Sequence, residues 1–312
     1  MKYLKIALFA ILFLPFIVKG QYRQFTQNMA SPTFTNPAFA GFQQNLSGGL
    51  QYRNQWNGYL TSWVASADLG LPKINSGIGF TLLTDNMYVG LPLGTNAFIA
   101  NYSYEFKLGE KSFLRLGISA SVISQIETEV LAINPPRAFF YPIVNPLNLG
   151  SGLLFYNNNF YIGASASNII KSNGTDLERD MGYATDPIIN FQTGDFIKIG
   201  AIKLNPNLAA LHQGDYTMFL PGINISYNMF TIGTSYRYAF QNVNSINFLL
   251  GFSKGIFKLY YSYDHSLSGT AFPDYNLRGI SAGSHEISLI FQLNKPNDTT
   301  NKPMIDHLRN AF

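Results

Sequence analysis

Cysteine is absent from all 312 residues. That removes disulfides, thiolate metal sites and cysteine nucleophiles together. Charge is also scarce. Lys, Arg, Asp and Glu make up 12% of the chain, against about 25% in an ordinary soluble domain. Long apolar runs are missing everywhere beyond residue 18, so no second helix-type membrane segment exists in the sequence. What is present in quantity is aromatic: 26 Phe and 19 Tyr, with only two Trp. Such a content of rings demands burial in something apolar and excludes a disordered chain.

The one long apolar run, Ile6 to Val18, follows Lys2 and Lys5 and leads to Gly20. Thirteen apolar residues fall short of the roughly 20 that span a bilayer as helix. A charged start, a short apolar stretch and a small residue at the end predict a secretory signal peptide over residues 1–20. The formal charge of the whole chain is +4, from 21 Lys and Arg against 17 Asp and Glu. Losing Lys2, Lys5 and Lys19 leaves 18 against 17, a mature net charge of +1. Nucleic acid therefore drops out as a partner.

An exported, cysteine-free chain with its hydrophobicity spread over short segments has one way to cross lipid, because only helices and closed barrels satisfy every backbone polar group there. Residues 45–56 show the pattern: Leu46, Gly48, Leu50, Tyr52 and Trp56 share one face, and Ser47, Gly49, Gln51, Arg53 and Gln55 the other. The same period of two recurs at 61–70, 76–84, 95–106, 113–124, 147–156, 160–168, 192–203, 207–213, 216–227, 230–239, 244–253, 256–264 and 284–293. The fourteen segments predict an all-β, antiparallel transmembrane β-barrel over residues 45–293. Tight connections alternate with long ones at 85–94, 125–146, 169–191 and 265–283. This asymmetry is that of outer-membrane barrels and predicts both termini in the periplasm. A soluble β-sandwich would put far more Lys, Glu and Asp on its solvent face. Tyr52, Trp56, Tyr102, Tyr104, Tyr236, Tyr238, Tyr261 and Tyr263 stand near strand ends, as interfacial girdles require.

Catalytic patterns are sparse. The four histidines have no metal-ligand spacing, and no nucleophile elbow or phosphate-binding loop occurs. Asp264-His265 and His285-Glu286 sit on consecutive strands and are expected to meet near the outer rim. They read as a hydrogen-bonded register clamp, with an Asp–His hydrolase site as the alternative. The acidic stretch 172–180 reads as a solvated loop, since it lacks the oxygen spacing of a calcium site. Asn134, Pro135, Pro136 and Pro142 mark a stiff loop.

Residues 21–44 form an N-terminal segment with no strand or helix period, yet with Phe25, Phe34 and Phe39. It is expected to pack at or inside the lower barrel mouth, with a tight turn at Asn36-Pro37, though it is too short to fill the lumen alone. Residues 294–312 are expected to be a periplasmic tail, with Phe291 as the terminal-strand aromatic.

Gln24-Phe25 with Gln27, followed by Asn36-Pro37-Ala38-Phe39-Ala40-Gly41, resembles the opening of the PorP/SprF proteins of the type IX secretion system in Bacteroidetes. Tyr52-Arg53-Asn54-Gln55-Trp56, Gly233 with Tyr236-Arg237, Tyr263-Asp264 with Ser266, and Gly283-Ser284-His285-Glu286-Ile287-Ser288-Leu289 are similar to later motifs of that family. His265 and the region 195–215 match more loosely. The resemblance implies an outer-membrane barrel of the secretion and gliding machinery, without a cofactor. It implies binding or anchoring of adhesin-like secreted proteins through their C-terminal sorting domain, together with other secretion components. The motif residues Asn36, Pro37, Gly41, Tyr52, Arg53, Gln55, Trp56, Tyr263, Asp264, His285 and Glu286 are expected to serve partner binding or structure. A channel for small or hydrophobic solutes is the other functional class.

Overall fold

A computed structural model describes residues 25–43, 45–89, 91–131, 137–170, 186–214, 216–239, 244–267 and 283–293. The signal peptide expected over residues 1–20, the acidic stretch 172–180, the tripeptide Asn134–Pro136 and the tail expected over 294–312 lie outside the described residues.

Fifteen strands form one sheet that closes on itself. They are β1 (Leu46–Gln55), β2 (Leu60–Leu71), β3 (Ser76–Val89), β4 (Leu91–Lys107), β5 (Phe113–Leu131), β6 (Arg137–Tyr156), β7 (Phe160–Ser167), β8 (Ile188–Asp195), β9 (Ile197–Ile199), β10 (Ile202–Gln213), β11 (Tyr216–Tyr227), β12 (Phe230–Ala239), β13 (Ser245–Lys254), β14 (Phe257–Ser266) and β15 (Gly283–Gln292). Strands β8 and β9 are one staggered partner of β10, so the barrel has fourteen staves. Every pairing is between antiparallel neighbours, and β15 closes on β1 with Leu50 opposite Leu289 and Arg53 opposite Glu286.

The alternation seen in the sequence is inside out relative to a soluble protein. Leu50, Ile118 and Leu250 are more than half exposed, while Gln51, Arg53 and Arg115 are almost fully buried. Apolar positions face outward and polar ones the lumen, as lipid requires. No described helix is long and apolar enough to cross a membrane. Tyr102, Tyr104, Tyr236 and Tyr261 lie on the exposed face, and the Trp63 ring packs at a tilt against Tyr52, centroids 4.3 Å apart.

Two expectations are corrected. The segment read as one strand over 192–203 holds the end of β8, the whole of β9 and the start of β10, with a tight turn at Gly200-Ala201. Gly200 has φ +61, the left-handed conformation that two-residue hairpins need and glycine supplies. The turn resets the alternation, so Ile202 faces outward and Lys203 lines the lumen. The long connections at 85–94 and 125–146 are largely paired strand. The β3–β4 ladder runs to Val89 opposite Leu91, and the β5–β6 ladder to Leu131 opposite Arg137, with a bulge near Val122. Strand β6 has 20 residues, roughly 66 Å at the usual rise, where about 9 to 11 residues cross a membrane. The β3–β6 wall therefore rises well past the bilayer on the side opposite the tight turns.

Candidate functional site: the lumen and its N-terminal segment

Residues 25–43 lie inside the barrel. A single turn of helix, α1 (Pro32–Thr35), runs directly into a 3-10 turn at Pro37–Phe39. Proline at the first position of each presets φ for the turn and wastes no amide. Asn36 joins the two: its Oδ1 accepts the Ala38 N–H at 2.9 Å, the geometry of an N-cap. Its Nδ2 donates to the Leu153 carbonyl at 3.1 Å and to that of Ala164 at 3.4 Å. Pro37 is buried beside Gly117. Gly41, at φ +62, turns the chain against Gly70 and Gly77 and donates its N–H to Asp68 at 2.9 Å.

Hydrogen bonds tie this segment to every strand from β1 to β8 and to β12, β14 and β15. Gln51 donates to the Gln27 carbonyl, Ser31 meets Ser66, and Thr33 meets Thr81. Ser103 and Arg115 donate to the carbonyls of Ala40 and Ala38, while Ser165 and Asn190 both donate to that of Thr35. Phe39 and Phe42 pack edge-on to each other at 5.5 Å and against Tyr161 and Tyr156, with Phe113 and Leu154 behind them. The segment thus carries the apolar core of one side of the lumen. Each fully buried ring contributes about 1.5–3 kcal/mol.

Charges are rare in this chain, and two groups of inward-facing ones pair. Arg53 donates through Nη1 to Glu286 at 2.8 Å and through Nη2 to Asp264 at 2.7 Å. Arg237 reaches Asp264 at 2.9 Å. Thr26 and Gln27 complete the cluster, each donating its backbone N–H to a Glu286 oxygen at 2.8 Å. Two guanidinium groups and two carboxylates cancel, which is what makes the side chains of Arg53 and Glu286 tolerable at 1% exposure each. The cluster spans β12, β14, β15 and β1, and so straddles the seam where the barrel closes. A second pair, Arg115 with Glu105 at 3.0 Å, holds the other end of the N-terminal segment, and the Tyr156 hydroxyl donates to the same carboxylate.

The sequence-derived site residues therefore divide. Asn36, Pro37, Gly41, Arg53, Gln55, Asp264 and Glu286 come together in the lumen. Tyr52, Tyr263 and His285 point away from it, with the Tyr261 hydroxyl 2.8 Å from His285 Nδ1 and the Tyr263 ring 5.1 Å from the imidazole. Trp56, at φ +53, sits in the β1–β2 turn. The expected meeting of Asp264-His265 with His285-Glu286 does not occur as read. Successive residues of a strand face opposite sides, so the wall separates both carboxylates from both imidazoles, and no Asp–His dyad forms there. The clamp is built by Arg53 and Arg237. Arg115, Glu105 and Asp68 were missed, although each is an isolated charge at an inward position of a strand pattern. No group of three or more His, Asp or Glu among the described residues could hold a metal ion.

Asn36→Ala tests the seat of the segment. It strands a buried N–H at Ala38 and removes two bonds to the wall, so unfolding free energy is expected to fall by about 1–3 kcal/mol. Denaturant titration of the barrel in detergent reads this directly.

The model of the family described as "Type IX secretion system membrane protein PorP/SprF" matches residues 17–291. No curated protein sequence matches. Among solved structures, the chain is similar to the Pseudomonas putida toluene transporter TodX, with TM-score 0.51, 9% identity, and coverage of 88% of this chain and 98% of that one. It is also similar to a Pseudomonas aeruginosa FadL homologue, with TM-score 0.50, 9% identity, and coverage of 85% and 94%. At such identity the likeness concerns the barrel fold.

Proposed function

Because the chain belongs to the PorP/SprF family of type IX secretion system membrane proteins, we propose that this outer-membrane barrel binds and anchors a secreted surface protein through that partner's C-terminal sorting domain. One observation supports the reading above others: a paired β3–β6 wall stands beyond the bilayer over a lumen occupied by the chain's own N-terminal segment. An extended wall with strand edges and turns offers the area that a stable protein interface needs, about 800 Å² per partner. A conduction path would have to pass the segment's bonds to eleven strands, which favours binding over solute flow.

In this reading the tight turns face the periplasm, the usual arrangement of bacterial barrels. Leu293, whose N–H donates to the Leu46 carbonyl at 2.9 Å, ends the last described strand at that face, where other secretion components would be met. The mature net charge of +1 suits docking by shape and hydrogen bonding more than long-range steering.

Replacing residues 125–146 by a two-residue turn tests the interface. The shortened barrel is expected to fold, since the membrane-crossing part of β5 and β6 is retained. Cells carrying it are expected to release the secreted partner into the medium. Full surface retention with the short hairpin would place the interface elsewhere.

A further inference from the structure

The N-terminal segment fills only one side of the lumen. On the other, between β8 and β14, a cavity of about 580 Å³ remains, inside the ~300–1,000 Å³ range of small-molecule sites. Gln27–Ala30 of the segment, with Ala209 and Leu220, lies across its inner end. Beyond them the apolar cluster of Ile188, Leu211, Tyr216 and Met218 packs where β8, β10 and β11 reach the far side. At the opposite end the cavity is edged by Asn159, Ala201 and Asn228, all in tight turns. Among the described residues it is a vestibule at the tight-turn mouth.

Two independent features of its walls call for a ligand. At the mouth, Lys198 and Lys203 are direct cross-strand partners, and both line the cavity, as does Lys258. Like charges directly opposite each other destabilise a strand pair. Asp195 is the one carboxylate among the described residues of the lining, and its Oδ1 accepts the Phe196 N–H at 2.8 Å. Deeper in, Gln192 and Asn247 are more than nine-tenths buried, border the cavity, and have side-chain nitrogens without a hydrogen-bond partner among the described residues. Gln27 also borders it, and its Oε1 has no donor among the described residues. A buried amide left unpaired is destabilising.

The geometry points to a binding site for a short acidic oligosaccharide, its carboxylate or phosphate between Lys198 and Lys203 and its hydroxyls on the carboxamides further in. Asn205, Asn224, Ser226, Thr231 and Ser253 repeat groups that accept and donate along neighbouring strands. Hydroxyls, which do both, match such a surface. Tyr260 and Leu249 supply apolar area for the C–H face of a ring. The site is separate from the β3–β6 wall and does not depend on what that wall binds.

Titration calorimetry of the full-length barrel in detergent at low salt tests this with trigalacturonate and maltotriose. Trigalacturonate is expected to bind one to one, and neutral maltotriose at least about 10-fold more weakly. The double variant Lys198→Gln/Lys203→Gln and the single variant Asn247→Leu are each expected to weaken trigalacturonate about 10-fold. Both should keep the gel mobility shift of the folded barrel on heating. Absence of trigalacturonate binding, equal binding of maltotriose, or unchanged affinity in the lysine variant overturns the proposal. Binding of hexaglutamate as tightly as trigalacturonate, or full displacement by equimolar inorganic phosphate, overturns the carbohydrate assignment.

Discussion

Arg53→Met is expected to lower the unfolding free energy of the detergent-solubilised barrel by about 3–5 kcal/mol. The substitution keeps most of the side-chain volume and removes the charge. Asp264 is then left with Arg237 as its only ion-pair partner and Glu286 with none among the described residues, both inside a lumen that water does not bathe freely. The loss falls on the seam between β15 and β1, the ladder that joins the first strand to the last. Trp56 and Trp63 are the only two tryptophans and sit in the β1–β2 hairpin beside that seam, so intrinsic fluorescence in a urea titration reports it. The double variant Arg53→Met/Glu286→Gln, which leaves Arg237 and Asp264 as a balanced pair, is expected to recover more than half of the loss, because the uncompensated charge is what destabilises. Equal stability of Arg53→Met and the parent barrel would mean that the cluster does not hold the seam.

Gly77→Val/Gly117→Val is expected to drive the N-terminal segment out of the lumen while leaving the barrel folded. A Cβ at Gly117 would meet the Ala38 backbone nitrogen, and one at Gly77 the Ala40 carbonyl oxygen, both inside van der Waals contact. These neighbours are backbone held by Asp68, Ser103 and Arg115, so they cannot give way without breaking those bonds. Valine itself suits a strand, and the pairing of β3 and β5 is untouched. A loss of about 3 kcal/mol in docking raises the population of the undocked segment roughly 100-fold, and limited proteolysis should accelerate by that factor where cleavage follows opening. Planar-bilayer recordings provide the second readout: the parent barrel is expected to stay closed, and the double variant to conduct. An intact, protease-resistant segment in the double variant would show that the close backbone approach is not what seats it.

The staves were legible from sequence wherever the alternation was uninterrupted. In β1 and β5 the outward Leu and Ile and the inward Gln, Ser and Arg fall as the period of two requires. The same period misled at 192–203, since Gly200-Ala201 takes only two residues to reverse the chain and the polar phase resumes without a visible gap. Pro142 carried the opposite error. Proline signals a loop in most contexts, yet here it lies within β6 of the β5–β6 wall. The lumenal cluster was half visible: Arg53, Asp264 and Glu286 stood out as motif residues, but their pairing depends on which strands close the barrel. Glu105 and Arg115 face each other across a hairpin and were within reach of a rule that isolated inward charges must pair. The vestibule had no sequence signature, because it is the space left beside the N-terminal segment.

The central claim is that this barrel holds a secreted protein at the cell surface rather than passing solutes. Its most direct measurement is purification of the tagged barrel from native outer membranes under mild detergent, with cross-linking from cysteines placed in the otherwise cysteine-free β5–β6 wall. The expected result is one large secreted protein cross-linked to that wall through its C-terminal sorting domain, and absent when that domain is deleted. A barrel that purifies alone, from cells whose surface proteins stay in place after its gene is removed, would contradict the claim.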